Sequence, residues 1–175
     1  MIRKASGFAL IDLMFVCGII GVLSTIALPR LLTARQAAGA SSAVASMRVI
    51  NSAQLTFALT CGSGFYAPDL STLGRAPAGS DDAFIGGGLG SANLVTRSGY
   101  HIQVAAFGYP GAPASCNALA PGDAAQGFVA VADPIVADNP RFFATNANAQ
   151  IYEHTVTLLG LMPEIGEPAV GHPLR

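Results

Sequence analysis

Phe8-Ala9-Leu10-Ile11-Asp12-Leu13-Met14-Phe15-Val16-Cys17-Gly18-Ile19-Ile20-Gly21-Val22-Leu23-Ser24-Thr25-Ile26-Ala27-Leu28 is an apolar run whose only charge is Asp12. Coiled into an α-helix it is roughly 30 Å long, the hydrocarbon thickness of a bilayer. The reading that follows is a membrane span over 8–28. Arg3 and Lys4 stand before it, as in a secretory signal peptide. The run is longer than the usual apolar region of about 7–15 residues in such a peptide, and no small-x-small site closes it. Helix-compatible sequence also continues past Pro29.

Working outward, residues 29–61 read as an amphipathic continuation of the same helix. Leu31, Val44, Met47, Ile50, Phe57 and Ala58 fall near a 3.6-residue period, with Arg30, Arg35 and Arg48 between them. Pro29 is expected to interrupt or kink the junction without ending the helix, since no cluster of turn residues follows it. The stop is expected at Cys61-Gly62-Ser63-Gly64, where glycine suits a left-handed cap. A glycine-rich connector over 62–99 follows, with a turn or short helix at Ala67-Pro68-Asp69-Leu70. A small antiparallel sheet of three or four strands is expected over 100–158. Its strand signals are Tyr100 to Phe107, Phe128 to Ala132, and a hairpin whose turn is Asn146-Ala147-Asn148-Ala149. The tail over 159–175 carries Pro163, Pro168 and Pro173, which argues against further regular structure. The fold class is α+β.

Composition fits this division. The 175 residues are 51% hydrophobic and only 11% charged, against about 25% charged in ordinary soluble domains. So much apolar material at a net charge of −1 is the opposite of charge-driven disorder. Nine basic against ten acidic residues leave no electrostatic footprint for nucleic acid, so none is expected as a partner.

Gly7-Phe8-Ala9-Leu10-Ile11-Asp12-Leu13-Met14 resembles the prepilin cleavage and methylation motif of type IV pilins and type II secretion pseudopilins. That pattern has a short basic leader, a glycine at the cut, a phenylalanine as the new N-terminus, an acid five places into the mature chain, and a long apolar helix. The resemblance therefore implies a leader over 1–7, cleavage between Gly7 and Phe8 by prepilin peptidase, and N-methylation of Phe8. Gly21 and Pro29 match the glycine and proline that bracket a helical segment which loosens on filament assembly. Segments 42–73, 98–106 and 141–151 look, more weakly, like a small major-pilin-like class with a reduced sheet. The fold implied is pilin-like, a long N-terminal helix packed on a small antiparallel sheet.

Each position has a physical reason. Glycine at the cut lets the backbone enter an active site that a Cβ would obstruct. A carboxylate in hydrocarbon is costly unless paired, which marks Asp12 as functional. The resemblance implies that its partner is the Phe8 amine of the same or a neighbouring copy, setting the axial register. The family acid is usually glutamate, so Asp12 reaches about 1.5 Å less far. Removing the leader would leave seven basic against ten acidic residues.

Cys17 lies in the span and reads as a small apolar residue. Cys61 and Cys116 fall in the part expected to face an oxidising compartment, where they either form a disulfide or remain two free thiols. His101, His154 and His172 are scattered, and no triad, Cys-x-x-Cys or His-Glu-x-x-His arrangement occurs, so no enzyme activity or cofactor is expected. Asp81, Asp82, Asp133 and Asp138 fit no EF-hand spacing and read as solvated loop charge, leaving no metal site expected. Phe57, Phe65, Tyr66, Phe142 and Phe143 read as the core joining helix to sheet.

The expected function is that of a structural subunit of a type IV pilus-like filament. Its expected partners are copies of itself, prepilin peptidase, the membrane, and inner-membrane pilus or secretion machinery. The location implied is a bacterial inner membrane before assembly and a cell-surface or periplasm-spanning filament afterwards. A type II secretion pseudopilin is the nearest alternative, and an uncleaved single-span subunit of a membrane complex is another.

Overall fold

The structure, a computed structural model, describes residues 10–137 and 139–174. Its elements are α1 (Leu10–Thr60), α2 (Leu70–Leu73), β1 (Leu94–Arg97), β2 (Tyr100–Ala105), β3 (Val129–Pro134), β4 (Phe142–Asn146), β5 (Ile151–His154) and β6 (His172–Pro173). The chain divides into a unit up to Ala37 and a unit from Ala38 onward. Pro29 lies inside α1, and Thr33 donates its hydroxyl to the Arg30 carbonyl in the turn that follows.

In the second unit, Ala40, Ala43, Met47, Ile50, Ala53 and Phe57 are buried at helical spacing. They pack with Tyr100, Ile102, Phe128, Ala130 and Phe143 in one core. Of the periodic set, Met47, Ile50, Phe57 and Ala58 are buried and Val44 is half-buried, whereas Leu31 is exposed. The helix ends at Thr60. The left-handed positions after it are Ser63 (φ 52°) and Gly64 (φ 93°), and the Gly64 N–H donates to the Ala58 carbonyl at 2.8 Å. Gly62 is needed for space instead, because a Cβ there would collide with the Phe65 carbonyl and the Phe57 ring.

The sheet is a six-stranded antiparallel meander in the order β1-β2-β3-β4-β5-β6, two strands more than the upper sequence expectation. The first addition, β1, lies within the expected connector. It pairs Arg97 with Tyr100 across Ser98 (φ 50°) and Gly99 (φ 84°), a two-residue turn whose positive φ angles match the strand twist. The second, β6, lies in the tail where proline argued against structure. It is a two-residue edge strand on β5, a position where Pro173 need not donate to a further strand.

Strand β2 alternates, with Tyr100, Ile102 and Val104 buried. Strand β3 buries Val129 to Ala132 without alternation, because both of its faces are covered. Ala130 and Ala132 face the helix, while Val129 and Val131 pack with Ala144, Tyr152, Leu158 and Met162 in a second cluster. Leu158, just before the tail, and Met162 within it join this cluster, so the tail is part of a packed layer. The hairpin between β4 and β5 forms where expected, with Ala149 at φ 60° as its left-handed residue. The Asn146 side chain instead donates to the carbonyls of Pro163 and Gly166, at 2.9 and 2.7 Å, and clips the tail down.

Candidate functional site

From Leu10 to Arg35 every residue whose burial is described is exposed. Leu10 (77%), Ile11 (74%) and Phe15 (71%) are examples of large apolar side chains left open. Soluble monomers rarely carry so large a continuous apolar surface, which marks this part of α1 as a surface for lipid or for other chains. α1 is long and apolar enough to cross a membrane, and it lies near the N-terminus.

Asp12 is exposed on α1. Gly7 and Phe8 lie outside the described residues. Gly21 and Pro29 both lie within α1, and among the described residues a Cβ added at Gly21 would meet nothing within 4 Å. Cys17 is a free, exposed cysteine of the same helix.

Cys61 and Cys116 are joined in a disulfide across a sequence separation of 55. It ties the end of α1 to the segment around Asn117, whose buried side chain donates to the carbonyls of Thr72 (2.8 Å) and Arg75 (3.2 Å). The Cys116 N–H donates to the Cys61 carbonyl at 3.3 Å, so the backbones meet as well as the sulfurs.

Of the remaining chemistry-bearing residues, His101 and Asp133 are cross-strand partners on β2 and β3. His101 accompanies Thr96 at 3.0 Å on neighbouring strands, while His154 and His172 lie on β5 and β6. Asp81 and Asp82 are exposed, Asp133 is on β3, and Asp138 lies outside the described residues. Among the described residues no three His, Cys, Asp or Glu gather as a metal cluster would. Phe57 and Phe143 are fully buried, whereas Phe65 stacks on Tyr109 with ring centroids 5.7 Å apart.

The sequence reading did not single out the buried polar residues that organise the head. Gln54 is fully buried; it accepts from the Ala67 N–H at 2.9 Å and donates to the Ala67 carbonyl at 2.8 Å. Its signal was a polar residue at core spacing between Ile50 and Phe57. Arg141 holds Glu153 through two bonds of 2.6 and 3.0 Å. No family model, curated protein or solved structure matches the chain.

Proposed function

We propose that the chain is a structural subunit of a type IV pilus-like extracellular filament, cleaved after Gly7 and polymerised through α1. The observation that carries this reading is the exposed apolar surface from Leu10 onward, whose only charge before Arg30 is Asp12. Such a surface is satisfied by lipid in the free subunit and by neighbouring helices in a filament, so one sequence serves two environments. The motif Gly7-Phe8 with Asp12 supplies the processing site and the charge that would pair with a neighbouring Phe8 amine. The Cys61–Cys116 disulfide suits a head carried outside the cytosol.

The test is the intact mass of the chain in membrane and sheared surface fractions. Processing gives a mass lacking residues 1–7 and carrying one added methyl in both fractions. The full-length mass in the membrane, with nothing in the sheared fraction, would instead describe a retained single-span anchor.

A further inference from the structure

We propose that the head binds a small organic carboxylate in the groove between α1 and the glycine-rich connector, with Arg97 holding the acid. The groove has a volume of about 260 Å³, with Ala45 and Val49 of α1 on one side and Gly86 and Leu89 on the other. Arg97, on the edge strand β1, lines it as well.

Anchored backbone builds both walls. At one end α1 meets the β1–β2 turn: a Cβ at Gly39 would come within 2.7 Å of the Ser98 carbonyl oxygen, and the Ser42 hydroxyl donates to that of Ser98 at 2.9 Å. The connector wall is pinned from behind. The Ile85 N–H donates to the Leu73 carbonyl at 3.2 Å, and Gly90 packs directly on the backbone of Gly74. Between these anchors Leu89 is buried, while a Cβ at Gly86 would meet nothing within 4 Å.

Charge decides the occupant. Arg97 is the only charged side chain on the lining, and among the described residues the only ion pair joins Arg141 to Glu153. Ser46 is buried in the helix wall, but its hydroxyl donates to the Ser42 carbonyl at 2.9 Å. The guanidinium is left as the charged donor, and its planar fork matches a carboxylate. Ala45, Val49 and Leu89 add an apolar wall, so the fitting ligand carries a short hydrocarbon body beside its acid. An inorganic oxyanion would gain nothing from that wall. The groove lies wholly in the unit beginning at Ala38, so this inference does not depend on processing or polymerisation.

The test titrates acetate, butyrate and butylamine, at constant ionic strength, into the isotope-labelled full chain in lipid nanodiscs. The readouts are the Arg97 Nε–H and Gly86 amide signals. Butyrate should shift both and bind about tenfold more tightly than acetate, since each buried methylene contributes about fourfold. Butylamine, with the same hydrocarbon body and the opposite charge, should shift neither. Arg97→Gln should weaken butyrate binding about tenfold by removing the charged donor. Ala45→Leu adds bulk at an exposed helical position and should weaken it comparably while the fold is retained. Butyrate bound no more tightly than acetate, equal shifts with butylamine, or unchanged butyrate affinity in Arg97→Gln would each overturn the proposal.

Discussion

Gln54 occupies a core position of α1 with a polar side chain, and both ends of its amide are used by the backbone of Ala67. A buried N–H and C=O left without partners cost about 1–3 kcal/mol each. Gln54→Ala is accordingly expected to lower the head's unfolding free energy by about 2–4 kcal/mol in urea titrations. Gln54→Glu would restore only the acceptor. Asp133 poses the opposite problem. Its Oδ2 accepts from Thr157 at 2.7 Å, but its Oδ1 is buried with no partner. Burial raises its pKa above the usual aspartate value, opposed by the Thr157 bond and by His101 on the neighbouring strand. The folded chain therefore resists ionising Asp133, and this residue costs stability as pH rises through the aspartate range. Asp133→Asn should raise the melting temperature at neutral pH, and the difference should shrink as pH falls below that range. The Glu153 carboxylate behaves the other way, since the bond from Arg141 holds its pKa down. If the chain polymerises as proposed, Asp12→Ala should leave it in the membrane but abolish its incorporation into sheared filaments, and wild-type filament yield would refute that role for Asp12.

At the scale of elements, α1 shows how one helical period serves two purposes. Up to Arg35 its described side chains are exposed all round, as suits lipid or other helices; from Gly39 its spacing selects a buried stripe for the sheet. The disulfide ties the end of this helix to a loop already held by Asn117. In the loop-entropy account a bridge enclosing this separation stabilises by about 4 kcal/mol. Replacing Cys61 and Cys116 together by serine should cost on that order, with amide exchange rising most around residues 107–127. The tail is held by a different device. Gly127 lies beneath it, and a Cβ there would come within 2.8 Å of the Glu164 and Ile165 side chains. Leu158 and Met162 owe their burial to that close approach and to the Asn146 clip.

For the whole molecule, the core of the unit beginning at Ala38 is built from its own residues, with helix on one face of the sheet and tail on the other. A chain starting at Ala38 should therefore fold, form the Cys61–Cys116 bridge and remain monomeric in aqueous buffer. Analytical ultracentrifugation together with a thiol count checks this, and aggregation or free thiols would count against an independent head. The apolar run, the continuation of the helix past Pro29, the strand that begins at Tyr100 and the β4–β5 hairpin were all legible in the sequence. Each is a local pattern, fixed by period, breaker residues or turn chemistry within a few positions.

The sequence by itself determined that this chain carries a long apolar helix ahead of a small mixed head, because hydrophobic period and charge scarcity act residue by residue. It also determined which cysteines stood outside the span. Only the tertiary structure decided that Cys61 and Cys116 meet, that Leu94–Arg97 and His172–Pro173 join the sheet, and that a proline-containing tail forms a second packed layer. Those outcomes depend on neighbours distant in sequence. A four-residue edge strand or a covered valine gains its stability from the surface it lands on, and no local pattern encodes that surface.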